Sequence, residues 1–303
     1  MNSNNACMSS IQDLLDKLNG MCSDTEYTYL YRGHSNVTYE LLPGLFRVGA
    51  PLDKEYALCQ KIYREYPHEF ENYSRLQKLI KMQHYGVPTR LLDFSMNPLI
   101  ALYFAVTDNM QDDGEFIIYK VNDKWIKYED CAKVNAIACF SYMRQNTIEN
   151  LLTYCNGNLE KTVNDTKAEF REKGIYGKVY NIQDANYGAN NFIRMLEEEN
   201  ISGNFCWKNL LNPVAFLASK TFDRANVQDS AFVIFGSPKN KIRTREEKKI
   251  FLEKITIPSN YKMRILRDLR LMGVRDSTVY PSLASRINDM LGKKASWIKY
   301  IEF

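Results

Sequence analysis

The sequence predicts an α+β fold. Short alternating or apolar runs, bounded by turn residues, recur at 27–32, 89–94, 115–121, 231–235 and 251–257. Most of the chain between them follows helical spacing instead. Composition agrees: 303 residues, 45% hydrophobic and 25% charged, suffice for a globular chain with a substantial core.

The elements follow in order. Ile11, Leu14, Leu15 and Leu18 make Ser10 to Leu18 an amphipathic helix. Tyr27 to Arg32 alternates aromatic, polar and aliphatic residues, a strand ending at Gly33 that leaves Arg32 and His34 at its terminus. Asp53 to Met82 carries Tyr56, Ile62, Tyr66, Phe70, Tyr73, Leu76 and Ile80 at helical spacings, and Pro67 divides it into two helices. Tyr85-Gly86-Val87-Pro88 breaks that pattern, and Thr89 to Phe94 reads as a short buried strand.

Ser95 or Asn97 caps the next helix, Pro98 takes an early position in it, and Leu99 to Val106 is apolar all round, which places it in the core. Gly114 turns the chain into the strand 115–121. The stretch 125–196 looks mostly helical, and 125–205 reads as a helical insertion within a single domain spanning 1–303. Asn212 to Ser219 is mixed, and Lys239 to Lys249 is a basic exposed connector ahead of the last strand. After Pro258, Met263, Leu266, Leu269 and Met272 form a helix that Gly273 stops. There is no internal repeat, heptad seam or low-complexity linker.

Several function classes lose support. The net charge of +4 permits a nucleic-acid partner without diagnosing one. Seven cysteines without a C-x-x-C pair, and only His34, His68 and His84 as histidines, argue against a zinc site, so no metal is expected. No apolar run approaches the ~18 residues of a membrane span, and Met1-Asn2-Ser3-Asn4-Asn5 lacks signal-peptide character. With the odd cysteine count, this predicts a cytoplasmic protein with no membrane partner. Phosphate-loop, dinucleotide, nucleophile-elbow and H-E-x-x-H motifs are all missing.

What remains is a cluster of polar residues in apolar surroundings: Arg32, His34, His84, Tyr85, Thr89, Arg90 and Asp93. Buried charge needs a partner, which suggests Arg90 or Arg32 with Asp93. The Arg90–Asp93 pair reads equally as structural. Arg32, followed by glycine at a strand terminus, suits a phosphate or pyrophosphate, with Gly33 letting backbone approach the ligand. Tyr85 stands over a flat heterocycle or packs in the core, and His84 is a hydrogen-bonding group or a helix-end histidine. Asp223, Arg224, Gln228 and Asp229, before the fourth strand, form a second constellation or an ordinary loop.

Tyr31-Arg32-Gly33-His34, then Leu42-Pro43-Gly44-Leu45-Phe46-Arg47, Gln83-His84-Tyr85-Gly86-Val87-Pro88-Thr89-Arg90-Leu91-Leu92-Asp93-Phe94-Ser95, Asn97-Pro98-Leu99 and Tyr103-Phe104-Ala105 together resemble the FRG domain family. Gln228, Ile255-Thr256-Ile257-Pro258, Gly273-Val274 and Tyr280-Pro281-Ser282-Leu283 look like its C-terminal pattern, so the resemblance covers 27–121 and 222–283.

The resemblance implies an order of elements like that of ADP-ribosyltransferases, with a split mixed or antiparallel sheet. In that superfamily a first strand supplies Arg or His, a second strand and its helix a Ser or Thr and an aromatic platform, and a late strand a catalytic Glu. Arg32 matches the first position; Thr89 or Ser95 with Tyr85 matches the second, and His34 and His84 join them as NAD contacts. Gln228 and Asp229 stand where the glutamate is expected and, with Arg32, are the catalytic candidates. NAD is then the substrate, and the chain a toxin or anti-phage defence effector with a macromolecular acceptor, RNA, DNA or protein, and a neutralising antitoxin. The alternative is a non-catalytic module that binds a nucleotide or nucleic acid. A nuclease lacks a carboxylate cluster with metal-ligand spacing.

Overall fold

The structure, a computed structural model, describes residues 7–21, 24–47, 53–178, 184–219 and 226–280. Asp223, Arg224 and Pro281-Ser282-Leu283 lie outside them. The fold is α+β, with one open mixed sheet of seven strands in the order β4-β5-β6-β2-β1-β3-β7. These are β1 (Tyr27–His34), β2 (Leu91–Ser95), β3 (Gly114–Asn122), β4 (Lys127–Tyr128), β5 (Val214–Leu217), β6 (Ser230–Ile234) and β7 (Ile250–Ile257). Neighbouring strands are antiparallel except β4 and β5.

Alternation along each strand sorts side chains to two faces. On one, Tyr31, Phe116, Ile118 and Ile257 pack against α6 (Pro98–Val106) and α12 (Ser259–Leu271). Leu91, Phe216, Phe232 and Ile234 join a larger core with α5 (Arg75–His84), α7 (Ala132–Ala138), α8 (Gln145–Gly157), α9 (Val163–Glu172), α10 (Ala185–Glu198) and α11 (Lys208–Leu211). On the opposite face Leu30, Leu92, Phe94, Tyr119 and Val233 are covered by connector residues such as Leu42, Ile126 and Ile242.

Local signals explain most boundaries. Ser10 and Asp13 form a capping box on α1 (Ile11–Asn19). Asn97 accepts from the Leu99 N–H at 2.9 Å and Pro98 opens α6.

Four expectations are corrected. The region after Asp53 holds α3 (Asp53–Glu65), the single turn α4 (Pro67–Phe70) and then α5, because Ser74 and Gln77 build a second capping box that restarts the helix. The short strands β4 and β5 fall in stretches read as helical and mixed; too short for periodicity to register, they are held by the sheet. β1 runs through Gly33 to His34. Gly33 serves helix packing and not a ligand: a Cβ there would lie 2.0 Å from the Ala101 carbonyl oxygen and 2.5 Å from the Ala105 nitrogen of α6.

Among the described residues no helix is long and apolar enough to cross a membrane, and no group of three or more His, Cys, Asp or Glu side chains is placed to hold a metal ion.

Candidate functional site

β1 pairs with β3 along its whole length, from Tyr27↔Asn122 to His34↔Glu115. With β2 it shares a single pair, Tyr31↔Ser95. Beyond that pair β1 and β2 form no further ladder pair, and Arg32 lies in the opening between them. Its Nη1 donates to the Asp93 carbonyl oxygen at 2.6 Å, and its Nε donates to His34 Nε2 at 2.9 Å. Nη2 has no partner among the described residues. A cavity of about 230 Å³ opens here, walled by Arg32, His34, Tyr39, Arg47, Phe94 and Phe104 and bordered by Asp93, Ser95 and Gln228. Arg47 ends α2 (Gly44–Arg47).

The charges are unusual for so small a space. Burial draws the Arg32 guanidinium down to about 10, Asp93 opposes this, and Arg47 adds to it as a second cation. The group stays charged at neutral pH. Because His34 Nε2 accepts from Arg32, the imidazole is the neutral Nδ1–H tautomer. Burial lowers its pKa, against the pull of Glu115. Nδ1 faces Glu115 Oε2 across 3.7 Å, too far for a hydrogen bond. Burial alone would raise the Glu115 carboxyl, but His34 and Lys254, the latter 2.9 Å away, hold it below the usual range. The Asp93 carboxylate accepts from Gln83 Nε2 at 2.6 Å. Two guanidiniums beside aromatic rings suit an anionic ligand with a flat heterocycle.

The candidates from the sequence divide. Arg32, His34, Ser95 and Gln228 come together at this cavity. Ser95 Oγ donates to the Gln228 carbonyl at 2.6 Å and accepts from the Asn97 N–H at 2.9 Å, clasping β2 to the turn before β6. Gln228 Nε2 donates to the Val279 carbonyl at 3.1 Å.

Thr89, His84, Tyr85 and Asp229 do not reach the cavity. Thr89 is fully buried, donates to Gln83 Oε1 at 2.6 Å and accepts from the Leu91 N–H at 3.1 Å. The His84 ring meets the edge of Phe232, 6.2 Å between centroids. Tyr85 caps the C-terminus of α5, where Gly86 takes a φ of 80° and the Val87 N–H returns to the Met82 carbonyl at 3.1 Å. That turn throws the Tyr85 ring outward, 72% exposed, beside a separate apolar depression shared with Tyr66 and Phe70. Asp229, at a φ of 44°, borders a different cleft of about 850 Å³ with Met96 and Glu129, so the pair Gln228–Asp229 is divided between two hollows.

Arg90 and Asp93 are not partners. Three apart along extended chain, they face opposite ways. Arg90 is fully buried with Glu55 of α3, its Nε lying 3.1 and 3.0 Å from the two carboxylate oxygens and its Nη2 also on Oε2, while Nη1 donates to the Phe235 carbonyl at 3.0 Å. The Gly86 to Leu92 segment is therefore framework.

Sequence reasoning missed Tyr39, Arg47, Phe104 and Glu115 as members of this neighbourhood. Arg47 and Phe104 sit within segments that carry the resemblance; Tyr39 and Glu115 have no local signal.

Residues 27–114, from β1 to the first residue of β3, match the family model of the FRG domain. No curated protein and no solved structure matches the chain.

Proposed function

Because the chain carries an FRG domain, we propose that it is an NAD-dependent ADP-ribosyltransferase-like toxin or anti-phage defence effector acting on a macromolecular acceptor. One observation carries the reading: Arg32 of β1, the end of β2 at Ser95 and Gln228 ahead of β6 border one cavity at the opening between β1 and β2, and the three strands are adjacent in the order β6-β2-β1. They correspond in part to the first-strand, second-strand and late-strand contributions of the resemblance: Arg32, Ser95 and Gln228 reach the cavity, and Thr89, Tyr85 and Asp229 do not.

In this reading Arg32 Nη2 and Arg47 take the diphosphate of NAD, charge-assisted and partly shielded from water. The nicotinamide riboside end enters the cavity, where Tyr39 and Phe104 offer ring faces. The C1′–nicotinamide bond breaks, nicotinamide leaves with its electron pair, and an acceptor nucleophile bonds to C1′. Negative charge near the ribose stabilises the cationic character of that transition state. Asp93, oriented by Gln83, is the carboxylate bordering the cavity, and Gln228 Oε1 stands ready for a ribose hydroxyl. The helices α7 to α11 and the basic connector Lys239 to Lys249 shape acceptor choice.

A second reading has one observation in its favour. Gln228 stands in place of the glutamate and its amide is committed to Val279, which suits a module that binds a nucleotide without turning it over. Labelled NAD separates the two. Purified protein with labelled NAD and cell lysate transfers label to an acceptor in the first reading, and Arg32→Ala abolishes the transfer. No nicotinamide release in any extract removes it. Expression without its neutralising partner arrests growth; normal growth under strong expression contradicts the toxin assignment.

A further inference from the structure

A second charged surface lies where β4, α7, α11 and the connector before β7 meet. Lys248 Nζ stands 4.6 Å over the Trp125 ring. Its N–H bonds the Arg245 carbonyl at 3.0 Å, Arg245 Nη2 donates to Asn212 Oδ1 at 2.7 Å, and Asn212 Nδ2 donates to the Lys208 carbonyl at 2.8 Å. Those bonds fix the connector's cations beside α11. Lys127 projects from β4 and Lys133 from α7.

All five cations are half-buried. Burial first, then the charges of Lys127 and Lys248, push Lys133 down; burial, then Arg245 and Lys208, push Lys248 down against the pull of exposed Glu247. Lys208 is paired with Glu160. Lys127 Nζ donates to the Lys124 carbonyl at 2.9 Å. Among the described residues, Lys127, Lys133 and Lys248 have no carboxylate at ion-pair distance. Of the nearby acids, Asp130, Glu246 and Glu247 are exposed, Glu129 is held by Gln77 and the Ser219 N–H, and Asp229 lines the cleft that Tyr128 also borders. Half-buried like charges without counter-ions repel one another unless an external anion joins them. Two exposed rings accompany them, Trp125 at 39% and Tyr128 at 63%.

We propose that this surface binds single-stranded nucleic acid, with Lys127, Lys133, Arg245 and Lys248 on the phosphates and Trp125 and Tyr128 stacking on bases. Interleaved cations and exposed rings suit a single strand, whose bases are free to stack, better than a duplex, whose bases are already stacked. The inference rests on the proposed function in one respect: it makes a single strand the acceptor presented to the Arg32 cavity.

The test is fluorescence anisotropy of the full chain with a labelled mixed-sequence single-stranded oligonucleotide, as RNA and as DNA, across a salt series without NAD. Binding is expected, weakening linearly in log salt. Lys127→Gln/Lys248→Gln weakens it roughly tenfold or more and lowers the slope by about 1.4, near 0.7 for each lost contact. Trp125→Ala weakens it roughly fivefold or more with the slope kept. Lys61→Gln/Arg64→Gln on α3, which removes the same charge elsewhere, leaves binding unchanged. Absence of binding at low salt, equal weakening by the α3 pair, or a duplex bound as tightly as the single strand would each overturn the proposal. Arg32→Ala retains oligonucleotide binding while losing NAD transfer; absence of NAD transfer by the unaltered chain, with oligonucleotide binding intact, refutes only the proposed function. Transfer to protein acceptors without oligonucleotide binding refutes only this surface.

Discussion

The Arg32 guanidinium bridges to the main-chain oxygen of Asp93 at 2.6 Å, taking the place of ladder hydrogen bonds where β1 and β2 separate. One side chain thus closes the sheet and charges the cavity in its opening. Arg32→Ala removes both functions: the Asp93 carbonyl loses its donor, at about 1–3 kcal/mol, and the ligand loses its anchor. Arg32→Lys keeps the charge but cannot donate to Asp93, His34 and a ligand from one planar fork, so NAD affinity falls with a smaller loss of stability. Calorimetric NAD titration beside chemical denaturation checks both. Unaltered NAD affinity in Arg32→Ala would remove Arg32 from the site.

His34 supplies a pH dependence. Its folded-state pKa lies below the ordinary 6.5, so the unfolded chain takes up protons first as pH falls through 6.5, and stability declines from there toward lower pH. Glu115, also lowered, keeps its contribution until pH falls below its ordinary 4.5. The interval between about 6.5 and 4.5 therefore belongs to His34 within this pair. His34→Gln, which still offers Arg32 an acceptor, flattens the curve over that interval. Denaturation midpoints at pH 7.5, 6 and 5 measure it; identical slopes in wild type and variant would contradict the assignment.

The Arg90–Glu55 pair is structural, so its loss appears in stability. Glu55→Ala leaves a guanidinium buried without its carboxylate and destabilises by about 3–5 kcal/mol. Glu55→Leu/Arg90→Met, which removes both charges, costs less than either single change. Denaturant titration of the three variants decides this, and additive losses would show that the two residues do not act as a pair.

How much of this was legible in the sequence depended on range. The β1, β2, β3, β6 and β7 strands and the apolar α6 helix were readable because alternation, all-round apolarity and caps such as Asn97-Pro98 are local. Arg32 was singled out on the premise that Gly33 ends the strand, but β1 runs on to His34 and Gly33 packs against α6, so the residue was found for a reason the fold does not bear out. Glu55 was not identifiable as the partner of Arg90, because it is one of several acids on a charged helix and the pairing spans 35 residues. Tyr85 misled for a local reason: it lies in the irregular break before Val87-Pro88, where a ring could stand over a ligand, but the left-handed Gly86 ends α5 and turns the ring away. Gln228 and Asp229 were adjacent in sequence, and only the turn at Asp229 separates their surroundings.

Two glycines of the matched region test the packing account in opposite ways. Gly33→Ala drives a methyl into the α6 backbone and costs on the order of 1–3 kcal/mol or more, with NAD affinity reduced because β1 shifts. Gly86→Ala meets open space and costs only the left-handed backbone penalty, about 1–2 kcal/mol, without touching the cavity. Thermal melts and NAD titration of both variants check the contrast; the same affinity loss in each would mean that the Gly86 turn also shapes the cavity.

NAD is proposed to enter the opening between β1 and β2. A crystal structure determined with saturating NAD tests it most directly. The diphosphate is expected on Arg32 Nη2 and Arg47, with the nicotinamide riboside end between Tyr39 and Phe104. A dinucleotide seated in the cleft bordered by Asp229 and Glu129, or no bound NAD at saturation, would contradict it.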